Sequence, residues 1–80
     1  MREEIENWYG DGELIFIDGF DDAIIGVDYH SHRVIYSTCK CIDIMIAEGM
    51  DEEDAWDHFG YNIAGAYVGE KTPIFCLDNL

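Results

Sequence analysis

Apolar residues along this chain follow two different periods, and the change between them divides it. Between Ala23 and Ser37 they come in short runs, AIIGVDY (23–29) and RVIYS (33–37), on either side of His30-Ser31-His32. Two β-favouring runs around a short polar loop predict a hairpin. Gly26 within the first run predicts a bulge or the close approach of another backbone. In regular alternation Ile25 and Val27 would share one face and Ile24, Gly26 and Asp28 the other. Ahead of the hairpin, ELIFID (13–18) is a continuous run between the breakers Gly10-Asp11-Gly12 and Gly19-Phe20-Asp21-Asp22. It predicts a strand covered on both faces.

After Ser37 the spacing becomes helical. Ser37 or Thr38 can cap a helix running to about Glu48, with Cys41, Ile42, Met45 and Ile46 facing inward, Cys39 and Ile44 flanking, and Gly49 as its stop. A second helix follows at once. Asp51 is its N-cap, and Glu52, Glu53 and Asp54 occupy the first turn, where the helix dipole favours anions. Ala55, Trp56, Phe59, Ile63, Ala66 and Tyr67 form one apolar stripe. Gly69 is placed as a left-handed terminal residue, and Thr72-Pro73 prevents continuation. Pro73 to Leu77 then reads as a closing strand. Residues 1–9 predict a short helical turn with Ile5, Trp8 and Tyr9 on one side, loose until covered.

The order β-β-β-α-α-β predicts an α+β fold, a small antiparallel sheet with both helices packed on one face. Phe59, Ile63 and Ala66 would meet Ile15, Ile17, Ile25 or Val27. The 80 residues make one domain, without repeat or linker.

Composition supports a folded globule, with 49% hydrophobic and 14% aromatic residues. Charge narrows the function. Eighteen acidic residues against four basic ones leave a formal charge of -14. That balance argues against direct binding to nucleic acid or to an anionic membrane, and a macromolecular partner met through charge should be basic. Three cysteines, with three glutamates and no apolar run in residues 1–10, predict free thiols in a reducing compartment.

Chemistry is sparse. His30, His32, Cys39 and Cys41 are ligand types zinc favours, but paired ligands in closed sites stand two or more residues apart. Cys39 and Cys41 at a helix start diverge by about 200°. The plainer expectation is a hydrated hairpin tip, one core cysteine and one half-exposed cysteine. Asp54, His58 and Asn62 fall in line at i, i+4 and i+8, with Tyr61 and Gly65 beside them, which could suggest acid–base work. No nucleophile or oxyanion hole accompanies them, so a surface row is expected, with Asn62 bonding the loop at 69–72. The carboxylates at 18, 21, 22 and 51–57 do not match a calcium loop. No cofactor is implied.

From Gly19 onward the chain resembles a group of small uncharacterised proteins encoded by tailed bacteriophages. The resemblance is carried by GFDDAIIGV (19–27), RVIYS (33–37) with Lys40 and Ile42, EGMDEEDA (48–55) and YNIAGAYVGEKTPIF (61–75). It implies a phage product working in the host cytoplasm and transfers no catalytic residue. His30-Ser31-His32 and the flanking Cys39 and Cys41 lie outside it.

The function expected from all this is non-catalytic. An acidic surface would bind a basic host or phage protein, in its finer form by imitating the phosphates of DNA. Asp51, Glu52, Glu53, Asp54 and Asp57 would supply one row; Asp21 and Asp22, with Asp18 and Asp28, would supply a second. The alternatives are a small metal-dependent or hydrolytic enzyme using histidines and carboxylates, and a self-associating, virion-related protein, a homodimer through Trp8-Tyr9 or an open sheet edge.

Overall fold

The computed structural model describes residues 2–9, 14–65 and 69–78. Its elements are α1 (Arg2–Tyr9), a 3-10 turn (Asp21–Ala23), β1 (Ile24–Val27), β2 (Val34–Ser37), α2 (Thr38–Ala47), α3 (Glu52–His58), a π-helical segment (Phe59–Ala64) and β3 (Ile74–Cys76). The fold is α+β, a three-stranded sheet in the order β1-β2-β3 with helices packed against it.

Two parts of the expected sheet differ. β1 pairs antiparallel with β2, but β3 runs parallel to β2, joining Ile35 to Ile74 and Ser37 to Cys76. The sheet is therefore mixed. A parallel neighbour needs a long crossover, and α2 and α3 provide it. The second difference lies at 14–17, which is irregular rather than a strand. The Ile17 N–H donates to the Tyr36 hydroxyl at 2.8 Å, and the Phe20 N–H turns back to the Ile17 carbonyl at 3.3 Å. Backbone groups satisfied by a side-chain hydroxyl and a local turn build no ladder. Glu13 lies outside the described residues.

The hairpin forms where the pattern places it, and Gly26 sits in a register shift between Ile24 and Gly26. The bulge changes which side chains face inward. Ile24 is buried and Val27 packs on the same core, although three positions apart they would face opposite ways in a regular strand. Ile25 and Val27, expected to share a face, are both half-buried. On β2, Val34 and Tyr36 are fully buried at i and i+2.

Both helix caps are found. Ser37 accepts from the Lys40 N–H at 3.1 Å, and Asp51 accepts from the Asp54 N–H at 3.0 Å. Ser37 also donates to Asp78 at 2.7 Å, so one buried hydroxyl ends a strand, starts a helix and holds the chain beyond β3. α2 closes on Gly49 at a φ of 111°, with Met50 N–H to Met45 carbonyl and Gly49 N–H to Ile46 carbonyl. This paired closure satisfies two orphan carbonyls and requires a left-handed residue, which glycine adopts without strain.

α3 does not continue as a regular helix. From Phe59 it widens to π geometry as far as Ala64, with Gly65 following. Gly69 has the left-handed backbone expected of it, at a φ of 111°, and residues 66–68 lie outside the described residues. A Cβ at Gly65 would lie 3.2 Å from the Gly60 carbonyl oxygen, so the closure is tight against backbone. Ala66 and Tyr67 of the expected stripe lie outside the described residues. Phe59 is buried and meets Phe75 of β3 edge-on at 5.0 Å, in the core against which Ile17 and Val27 also pack. Ile63 stands opposite Ile15, Phe16 and Ile17 across an apolar cleft.

The N-terminal helix is held. Ile5 joins the core, and Arg2 lies 4.5 Å above the Phe16 ring. Arg2 also donates to Glu6 at 2.8 Å and to Asp21 at 2.9 Å. Every buried side-chain nitrogen or oxygen among the described residues has a partner.

Candidate functional site

The sequence places its densest acids on α3, and the structure leaves them on the surface. Glu52, Glu53, Asp54 and Asp57 are all exposed, and none is in an ion pair among the described residues. Asp51 is exposed too, but one of its oxygens serves as the cap. Ala55 and Phe59 bury the opposite side of the helix, fixing which way the acids point.

The acids before and within the hairpin are arranged differently. Asp21 is paired with Arg2. Asp28 accepts from the Ser31 N–H at 2.7 Å and the Ser31 hydroxyl at 2.8 Å, closing the hairpin loop. Those bonds, the backbone one foremost, hold its carboxyl below the usual range. Asp18 and Asp22 are exposed. α2 packs against both the 3-10 turn and α3, so Asp21 and Asp22 and the acids of α3 sit on elements that share one helix.

The few cations do little to balance this charge. Arg2 meets Glu6 and Asp21. Arg33 donates through Nε to the Thr72 carbonyl, and Lys71 donates to the Ser31 carbonyl at 2.9 Å. These two brace the hairpin loop to the turn before β3 without neutralising a carboxylate. Lys40 is exposed on α2.

The zinc-type residues stay dispersed. His30 and His32 are exposed at the hairpin tip, where His32 has a φ of 58° and Tyr29 meets the His30 ring edge-on at 5.2 Å. Cys41 is wholly buried, and desolvation pushes its thiol up to about 11, keeping it protonated at neutral pH. Cys39 is half-buried beside α3. No group of three His, Cys, Asp or Glu able to hold a metal is found among the described residues. His58 Nδ1 and the Asn62 amide are 3.2 Å apart on an exposed face. Asn62 thus pairs within its own helix, and Thr72 closes the 69–72 turn onto the Gly69 carbonyl.

One feature escaped the sequence pattern. Ile46 and Trp56, both expected inside, are 39% and 40% exposed. They line the same groove between α2 and α3, with Cys39, Ile42, Asp43 and Glu52, enclosing about 240 Å³. The only available signal was Asp43 and Glu52 at the edges of otherwise apolar stripes. No helix among the described residues is long and apolar enough to cross a membrane. Comparison with protein-family models, curated proteins and solved structures finds no match for this chain.

Proposed function

We propose that the protein is a non-catalytic binding protein whose acidic surface engages a basic face of another protein, a host or phage component met in the cytoplasm of an infected cell. The observation that carries this reading is the state of α3. Four exposed carboxylates stand on a capped helix without an ion pair among the described residues, while three of the four cations are held elsewhere. A field of one sign on a fixed scaffold speeds and selects encounters with the opposite sign.

Imitation of DNA phosphates is the finer form of the reading. Of the second row, Asp18 and Asp22 are exposed, whereas Asp21 and Asp28 are engaged by Arg2 and Ser31. Self-association is favoured by one observation, the 86% exposure of Trp8, and a mass measurement in solution decides it.

The test is capture of partners from host and phage-infected extracts, followed by rate measurements on the purified pair. Reversal of Glu52, Glu53 and Asp57 to lysine should lower the association rate, with the loss shrinking as salt rises. Reversal of Glu3 and Glu4 on α1 should do much less. Equal binding by both variants would leave α3 as a solubility device.

A further inference from the structure

The groove between α2 and α3 combines two properties that the acidic helix alone lacks. Its apolar part is formed by the part-exposed Ile46 and Trp56 over the buried Ile42, with Cys39 at one end. Its rim is anionic: Asp43 on α2 and Glu52 on α3, neither ion-paired among the described residues. Cys39, Ile42, Asp43 and Ile46 fall at i, i+3, i+4 and i+7, so the floor and one rim follow a single face of α2 for about 10 Å. Glu52 and Trp56, at i and i+4, follow the facing side of α3.

At about 240 Å³ the groove is smaller than the roughly 300 to 1,000 Å³ usual for small-molecule pockets, and it is open. That size suits one large side chain presented by a macromolecule. A part-exposed tryptophan bordered by carboxylates is also a good seat for a guanidinium, which can stack on the indole while its donors reach an acid.

We infer that this groove is the docking site for a basic amphipathic helix of a protein partner, seating one apolar side chain on Ile42, Ile46 and Trp56 and placing arginines one turn away against Asp43 and Glu52. The inference rests on the acidic-surface reading above and adds where the contact is centred and what chemistry it takes. The anionic rim selects the occupant: an acidic helix would be repelled, and a neutral one would leave both carboxylates facing it without partners. Within such a contact the aromatic anchor carries most of the affinity and the charges carry rate and selectivity.

The probe is a synthetic helix of about four turns with leucines on one face and arginines elsewhere, followed by the backbone and methyl resonances of the full chain. Two controls replace all arginines by glutamine, or all leucines by alanine. The leucine–arginine helix should shift the Trp56 indole and the Ile42 and Ile46 methyls, and each control should bind at least about tenfold more weakly. Trp56→Ala and Ile46→Ser should each weaken binding about tenfold while the resonances of Val34 and Tyr36 stay in place. If one variant fails to fold, the other decides. Binding that shifts other faces, or that neither variant weakens, overturns the groove and leaves the acidic reading standing. No binding of the probe at low salt overturns the groove, and the acidic reading is then decided by the capture and charge-reversal measurements.

Discussion

Asp21 and Asp28 have the same charge as Glu52 and Asp57, and the two regions use it in opposite ways. Around the hairpin, carboxylates are structural: Asp21 holds α1 through Arg2, and Asp28 closes a loop through Ser31. On α3 the acids past the cap hold nothing among the described residues. Net charge alone does not reveal this. An acid with a local donor is part of the fold, whereas an acid on a helix anchored by its other face is free to act outward.

The contrast requires that α3 owe its place to its apolar face, and Phe59→Ala tests that most severely. Removing the ring that meets Phe75 should cost about 3 to 5 kcal/mol in urea unfolding. An unchanged midpoint would mean that something other than Phe59 fixes the orientation of the acids.

A smaller effect is expected from Tyr36→Phe, which leaves the Ile17 N–H without its acceptor, at about 1 to 3 kcal/mol. Native-state hydrogen exchange should quicken most at Ile17 and its neighbours and least on α3. Uniform quickening would show that the irregular 14–20 segment and α3 open together, which would weaken the division between the regions.

The smallest effect is also the most direct. Asp28→Ala should lower the melting temperature at neutral pH, and Asp57→Ala should leave it unchanged or raise it slightly, since alanine also favours helix. For Asp28 the folded carboxyl is depressed by its bonds from Ser31. Its stabilisation is thus complete above the ordinary carboxylate range and lost as pH falls through the lower folded value. The gap between wild type and Asp28→Ala should close on acidification. Two variants moving in the same direction at neutral pH would erase the distinction.

What the sequence revealed was mostly local. Asp51, Ser37 and Gly49 announce helix ends because a cap is a short-range bond between a side chain and the nearest backbone, and each is where expected. Gly26 likewise marked the bulge. The misses are long-range. Run composition cannot show that Ile17 bonds to a tyrosine hydroxyl nineteen residues away instead of to a neighbouring strand. Strand direction between β2 and β3 depends on how two helices cross, which no residue states. The π segment also escaped, since a wider turn leaves the apolar spacing nearly unchanged over six residues. For the candidate surface, the carboxylates were evident from charge. The exposure of Ile46 and Trp56 depends on the distance between two helices, so both were assigned to the core.

The brace between hairpin and turn has a consequence for sequence drift. Arg33 and Lys71 are received by the backbone carbonyls of Thr72 and Ser31, not by carboxylates. A main-chain oxygen is present whatever residue occupies the position. The brace therefore keeps its acceptors through substitution at either receiving site, and it places no demand on where acids lie. Selection can add, remove or relocate surface carboxylates without loosening the join that closes the sheet.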